Sequence, residues 1–143
     1  HGVDGYITTE PDQISNMQQR LDTKLKQAVP DFTFFDEYPF PDSDTLVIAY
    51  GVTARAAKSA VKQLRQAGHS ASLLVLKTLW PVPEGLIRQK AAPFKRVVVA
   101  EMNLGLYVRE LQRLLPGKTI RFLGQMNGEL IKPGRIMEVI QHG

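Results

Sequence analysis

The sequence contains no cysteine. The chain therefore cannot form disulfides, supply a thiolate nucleophile, or hold zinc or an iron–sulfur cluster through thiolates. It also has no apolar run near the roughly 18 residues that a membrane-spanning helix needs. The three histidines, His1, His69 and His142, lie far apart without metal-ligand spacing, so we expect surface side chains. Together these absences exclude several classes of site and favour a cytoplasmic location, where thiols stay reduced.

Charge is distributed unevenly along the chain. Residues 1–44 hold nine acidic and three basic side chains, a net −6, and residues 45–143 hold five and fifteen, a net +10; the two sum to the +4 of the whole chain. A basic domain favours anionic partners. The chain begins with His1 rather than methionine, which predicts that it is a piece of a longer protein.

The first 44 residues form a segment of their own in the sequence. Apolar residues recur at helical spacing over 12–28, which predicts an amphipathic helix. Residues 29–44 hold three prolines and five aromatic residues, a composition that excludes a regular helix. We expect this stretch to be a connector that packs on the rest of the protein. Residues 1–44 are thus predicted to be an acidic leader helix and a connector from a preceding domain.

Residues 45–143 alternate between short β-branched runs and helical patterns. This rhythm indicates βαβ units and a mostly parallel sheet with helices on both faces, a three-layer α/β/α Rossmann-like domain. The predicted strands are 45–50, 71–78, 96–102 and 119–124, and the predicted helices are 53–67, 84–91, 104–115 and 133–141.

The turn after the first strand, GVTARA (51–56), has the outline of a nucleotide-phosphate loop but lacks its chemistry. A dinucleotide fingerprint needs three glycines, and only Gly51 is present; there is no G-K-S/T for a P-loop. We interpret the stretch as a structural turn in which Gly51 bends the chain and Thr53 caps the helix. Weak binding of an anion at Thr53 stays open.

The helix after this turn carries a basic stripe at spacings of three, four and three residues: Arg55, Lys58, Lys62 and Arg65. These positions share one helix face, so they could dock an acidic protein or nucleic acid. A solvated outer face is the alternative, favoured because no aromatic side chains alternate with the cations.

Glu101, Asn103 and Gly105 directly follow the third predicted strand. In an open parallel sheet, ligands and partners meet the domain at this carboxyl edge. With Gly51 and Thr53, these residues form the candidate interface at the sheet edge. A structural role is equally open, since Asn103 can cap the next helix and Gly105 can allow close packing.

Several motifs resemble one family in order and spacing. The segments LWPVPEGLI (79–87) and VVVAEMNLGLYVREL (97–111) are similar to the Leu-x-Pro-x-Pro and E-x-N-x-G segments in alpha subunits of the 2-oxoacid:ferredoxin oxidoreductases, above all the 2-oxoglutarate type. The start of the chain resembles a family segment through His1, Gly5, Thr8 and Pro11. Further similar stretches are 17–25, 45–68 and 122–140.

The resemblance implies a function for a larger enzyme. The family oxidatively decarboxylates a 2-oxoacid with thiamine diphosphate and magnesium, passes electrons to ferredoxin through iron–sulfur clusters, and releases an acyl-CoA. This chain resembles the transketolase C-terminal-like domain of the alpha subunit, which serves assembly and active-site shaping. The resemblance implies no catalytic, cofactor-binding or metal-binding residue in this chain.

The same resemblance implies particular partners and leaves two alternatives. The partners are an N-terminal domain of the same subunit and a beta subunit in an oligomer, with ferredoxin or CoA as further candidates; neither membrane nor nucleic acid is expected. One alternative is a freestanding α/β module that binds an anion or nucleotide. The other is the equivalent domain of a different thiamine enzyme.

Overall fold

A computed structural model describes residues 1–2 and 4–142; residues 3 and 143, which fall within the predicted ranges 1–44 and 45–143, lie outside it. The chain divides into two units, His1–Thr33 and Phe34–Gly143. The elements in chain order are α1 (Pro11–Ala28), a 3-10 helix (Val29–Phe32), β1 (Phe35–Tyr38), β2 (Thr45–Tyr50), α2 (Thr53–Gln66), β3 (Ser72–Leu76), α3 (Glu84–Ala91), β4 (Arg96–Glu101), α4 (Leu106–Leu114), β5 (Thr119–Gly124) and α5 (Pro133–His142).

The first unit consists of α1 and the 3-10 helix. Pro11 occupies the first turn of α1, where its missing N–H costs no helical hydrogen bond. The helix confirms the prediction for residues 12–28. Ile14, Leu21 and Leu25 recur on one face and are 38–50% exposed, and α1 has no buried residue.

The second unit is built on a five-stranded sheet in the order β1-β3-β2-β4-β5. β2, β3, β4 and β5 are parallel, and β1 joins β3 antiparallel. β2 and β4 are apolar almost throughout because helices cover both faces of the sheet. One core cluster joins α2 and α5 to the sheet, and the other joins α3 and α4. The predicted three-layer, mostly parallel α/β fold is confirmed.

The sequence predicts that residues 29–44 form a connector. In the structure, four of these residues form the strand β1. Phe35 pairs with Leu76, and Tyr38 pairs with Leu73. The backbone N–H of Phe40 also donates to Ser72 Oγ at 2.9 Å, so the segment packs on the sheet as expected. The two compact units of the structure meet between Thr33 and Phe34, and the predicted boundary after residue 44 stays a prediction. The origin of residues 1–44 in a preceding domain stays a prediction.

The start of α4 and the end of β3 differ from the predicted boundaries. The predicted helix 104–115 begins only at Leu106, because residues 102–105 form a turn stabilised by side chains. The second predicted strand, 71–78, ends at Leu76.

Among the helices of the described residues, none is long and apolar enough to cross a membrane.

Candidate functional site

The carboxyl ends of β2 and β4 lie side by side, since the two strands are parallel neighbours. The structure brings three of the five predicted edge residues, Glu101, Asn103 and Gly105, into one hydrogen-bonded network. Tyr50, the last residue of β2, joins them and was missed by sequence reasoning. A polar-tipped aromatic residue at the end of an otherwise apolar strand was the available signal.

Glu101 is fully buried and accepts four hydrogen bonds. The backbone N–H groups of Tyr107 and Val108 donate to Oε2 and Oε1 at 3.1 and 3.0 Å. Tyr50 Oη and Asn103 Nδ2 donate to Oε2 at 2.5 and 3.0 Å. The first turn of a helix presents unpaired N–H groups and a partial positive charge, so the carboxylate compensates both. Glu101 therefore anchors α4 to β4.

Asn103 and Gly105 complete this helix entry. Asn103 Oδ1 accepts from the N–H groups of Gly105 and Leu106, both at 2.8 Å. Gly105 adopts φ +86°, a conformation that side-chain-bearing residues rarely take. The structural role left open by the sequence accounts for the contacts of all three residues of the E-x-N-x-G segment.

Two tyrosine side chains contact each other at this site. The rings of Tyr50 and Tyr107 meet edge to face with centroids 5.6 Å apart. Burial, followed by the hydrogen bond to Glu101, raises the pKa of Tyr50 from 10.0 to about 12. Burial also raises the pKa of Tyr107, whose hydroxyl is enclosed without a hydrogen-bond partner in the described part of the chain. The site thus keeps both phenols neutral.

The raised pKa of Tyr50 predicts a stability change at alkaline pH. Because the folded pKa exceeds the unfolded one, the stabilisation is fully present below pH 10.0 and is lost as the pH rises toward about 12. We expect the free energy of unfolding of the wild-type chain to fall more steeply across this interval than that of Tyr50→Phe. Urea denaturation at a series of pH values measures both, and equal slopes would refute the assignment.

The turn between β2 and α2 is made by Gly51 and leads directly into the helix. Gly51 adopts φ +55° and makes the turn, as expected. Thr53, however, is the first residue of α2 and not its cap; Val52 holds the cap position, without a side-chain cap hydrogen bond. The prediction of a Thr53 cap is therefore wrong, because Thr53 already belongs to the helix that it would have to precede. Thr53 is also buried, which withdraws its side chain from a surface ligand.

The basic stripe on α2 is partly occupied by the segment that β1 begins. Lys58 Nζ lies 3.6 Å from Asp36 Oδ2 and 4.9 Å from the centroid of the Tyr38 ring. Arg65 donates to the backbone oxygen of Pro39 at 3.1 Å and lies over the Phe40 ring. Arg55 and Lys62 are exposed. Two of the four cations therefore help to fix residues 36–40, a role that the sequence did not indicate.

Exposed apolar side chains follow the carboxyl ends of four neighbouring parallel strands. The topology places the loops after β3, β2, β4 and β5 along one edge of the sheet. Soluble proteins rarely leave a large contiguous apolar patch uncovered unless it binds something. The residues, which we call the apolar edge, are Val52, Trp80, Leu104, Leu106, Met126 and Leu130, 42–78% exposed.

The described residues do not form a metal centre. Within residues 1–2 and 4–142, no group of three or more His, Asp or Glu side chains could hold a metal ion. Glu101, the buried carboxylate of the edge, already uses both oxygens for α4 and Tyr50. Cysteine ligands for iron–sulfur clusters are absent from the sequence.

Comparison with known families assigns the domain. The model of the family described as pyruvate:ferredoxin oxidoreductase core domain II matches residues 43–136. The chain belongs to this family. The 2-oxoglutarate synthase subunit KorA of Archaeoglobus fulgidus is 32% identical over 142 residues, which cover 99% of this chain and 39% of that subunit. The chain thus spans about two fifths of the length of this relative.

Solved structures share the fold. The 2-oxoglutarate:ferredoxin oxidoreductase from Magnetococcus marinus, with 2-oxoglutarate, coenzyme A and succinyl-CoA bound, matches with a TM-score of 0.86 at 23% identity, covering 99% of this chain and 25% of that chain. A split-gene transketolase, described as an inactive beta4 tetramer, matches with a TM-score of 0.58 at 22% identity, covering 69% of this chain and 37% of that one. These matches confirm the predicted transketolase-like fold.

Proposed function

We propose that this chain is the C-terminal domain of the alpha subunit of a thiamine-diphosphate-dependent 2-oxoacid:ferredoxin oxidoreductase. The enzyme acts on 2-oxoglutarate and forms an acyl-CoA in the cytoplasm. The supporting observation is that similarity to a 2-oxoglutarate synthase subunit continues through 99% of this chain, including both structural units.

Within that enzyme the domain contributes assembly and active-site shape. Its buried carboxylate is committed to the entry of α4, and its described residues offer no metal-ligand group. As the family resemblance implies, thiamine diphosphate, magnesium and the iron–sulfur clusters are assigned in this proposal to the preceding domain and the beta subunit. The thiamine supplies the carbanion chemistry of the decarboxylation when bound there.

The apolar edge is the surface that meets those partners. Leu104, in the turn, and Leu106, the first residue of α4, are 73% and 68% exposed, although Glu101 and Asn103 fix this helix entry. A rigid turn lowers the entropy lost on association, because little remains to be ordered. The predicted edge residues support the backbone of this surface, while the exposed apolar side chains make the contact. These supporting residues are Gly51, Thr53, Glu101, Asn103 and Gly105.

The isolated chain is expected to be inactive. Mixed with 2-oxoglutarate, CoA, thiamine diphosphate, magnesium and oxidised ferredoxin, it should give no CoA-dependent reduction of ferredoxin. The complete enzyme that contains this chain should give that reduction, and prefer 2-oxoglutarate over pyruvate and branched 2-oxoacids. Activity of the isolated chain, or no 2-oxoacid oxidation by the complete enzyme, would contradict the proposal.

The proposed role in assembly predicts that variants of the apolar edge lose the association between subunits. In the complete enzyme, Leu104→Asp combined with Leu106→Asp should abolish co-purification of the subunits, since two carboxylates would have to be desolvated in the contact. Gln112→Asp, at an exposed polar position on α4, is the matched control and should leave the complex intact. Size-exclusion chromatography of the affinity-purified complex measures the outcome, and an intact complex from the double variant would refute this contact.

A further inference from the structure

A groove is lined by one face of α2 together with residues of β1 and β3. β1 is one of the two outermost strands, and Tyr38 pairs with Leu73 of β3 at the base of the groove. The groove has a volume of about 470 Å³; Tyr38, Val61 and Leu73 give it an apolar floor. A single apolar side chain fits this space with room for the chain that carries it.

Cations line the rim of the same groove. Lys58, Lys62 and Arg65 all contribute to it, and no carboxylate does. Asp36 offsets part of the charge through its contact with Lys58 at 3.6 Å. The ammonium group of Lys62 makes no ion pair or hydrogen bond in the described part of the chain and projects from an exposed position. The rim therefore keeps a positive excess beside an apolar floor.

The spacing of the cations suits an extended peptide. Along an α-helix, residues four apart are separated by about 6 Å, and residues three apart by about 4.5 Å. In an extended chain, side chains on the same side recur about every 6.6 Å. Carboxylates at alternate positions of such a segment can therefore reach Lys58 and Lys62, while the residue between them projects to the other side of the segment.

We propose that this groove docks an acidic, extended segment of a partner protein, with an apolar side chain seated on Tyr38, Val61 and Leu73. Charge complementarity carries the choice of occupant: Lys62, together with Lys58 and Arg65 on the same helix, lines one side of an apolar floor that a polyanion alone would leave unfilled. The floor also argues against nucleic acid, because Tyr38 is the one aromatic residue of the lining and Lys58 already lies over one face of its ring. The proposal concerns a different face from the apolar edge and does not depend on the enzyme assignment.

A labelled peptide tests the proposal on the chain itself. The probe is a short fluorescein-labelled peptide in which glutamate alternates with phenylalanine and leucine, and binding is followed by fluorescence anisotropy. We expect saturable binding that weakens as salt is raised, since exposed charges are screened. Two comparison probes, a peptide with glutamine in place of glutamate and a single-stranded oligonucleotide, should each bind at least about tenfold more weakly.

Charge variants locate the binding. Lys62→Glu should weaken the peptide affinity roughly tenfold, and Lys62→Gln should weaken it less, in the same direction. Arg109→Glu changes the net charge by the same amount from an exposed position on α4, in the opposite helical layer, and should leave the affinity unchanged. Circular dichroism and urea midpoints should match the wild type, because Lys62 and Arg109 are both exposed.

Each remaining outcome overturns the proposal. Absence of peptide binding would remove the site. Equal losses in Lys62→Glu and Arg109→Glu would show general attraction to a basic domain instead of a groove. Binding of the oligonucleotide at the affinity of the acidic peptide would assign the surface to nucleic acid, and equal binding of the glutamine peptide would remove the role of charge.

Discussion

Replacing Glu101 with alanine is expected to lower the free energy of unfolding by about 3 to 5 kcal/mol. The change leaves two backbone N–H groups, those of Tyr107 and Val108, without their carboxylate acceptor inside the protein. The Tyr50 hydroxyl loses its short hydrogen bond at the same time. Because these donors are buried or half-buried, water cannot replace the acceptor without opening the entry of α4. Urea denaturation followed by circular dichroism measures the loss.

Glu138→Ala is the matched control for this prediction. Glu138 is exposed and pairs with Arg135 at 3.5 Å within α5, so its removal should change the free energy of unfolding by less than about 0.5 kcal/mol. The loss in free energy of unfolding for Glu101→Gln should lie between those of Glu101→Ala and Glu138→Ala. The glutamine oxygen can accept a hydrogen bond from one backbone N–H, but its amide nitrogen cannot accept one from the other. A Glu101→Ala chain as stable as Glu138→Ala would show that the carboxylate is not anchoring the helix.

Gly124→Ala should also destabilise the domain, by about 2 to 4 kcal/mol. A methyl group at Gly124 would lie 2.4 Å from Phe122 Cζ and 2.8 Å from the backbone oxygen of Asn103. The Phe122 ring is 41% exposed and could rotate away, but the oxygen belongs to the turn that Asn103 holds by its own side chain. The strain therefore falls on the same helix entry that Glu101 stabilises.

Replacing Gly85 with alanine, in contrast, should not lower the stability of the domain. Gly85 lies in the first turn of α3 without a positive φ, and an alanine methyl group there would meet no neighbouring element within 4 Å. Alanine should leave the stability unchanged or raise it by up to about 1 kcal/mol, since it restricts the unfolded chain. Thermal unfolding of both variants under identical conditions gives the comparison, and a Gly124→Ala melting temperature at or above that of the wild type would contradict the close approach.

The two large effects converge on one feature, the fixed turn between β4 and α4. Glu101 and Asn103 hold it from within, and Gly124 allows the end of β5 to approach it. Leu104 in this turn and Leu106 at the start of α4 are both exposed. Variants that loosen the turn should therefore weaken assembly of the complete enzyme as well as the stability of the isolated chain, whereas Leu104→Asp should weaken assembly alone.

Local sequence patterns were sufficient for most of the fold. The β-branched runs at 45–50 and 96–101 and the helical periodicities between strands each depend on neighbours within one element. The alternation of strands and helices then limits the sheet to a parallel arrangement with right-handed connections. The family could likewise be recognised from motifs that keep their order along the chain.

The strand β1 could not be predicted from local sequence patterns. Its four residues, Phe35–Tyr38, lie among prolines and aromatic residues, and they form a strand because β3 offers a free edge. The cations Lys58 and Arg65 help to hold the segment down across the face of α2. Neither contact follows from residues close in sequence, which is why the local pattern predicts only an irregular connector.

By itself, the sequence determined the class of fold, the family and the absence of thiolate chemistry, since each of these depends on composition or on order along the chain. The tertiary structure alone decided what Glu101 does. Tyr50 and Glu101 are 51 residues apart, and their 2.5 Å hydrogen bond exists because the parallel register of β2 and β4 places both strand ends at one edge. A carboxylate in the sequence can bind a ligand, pair with a cation or cap a helix. Which of these occurs depends on the donors that packing brings within reach, and here those donors are the first N–H groups of α4.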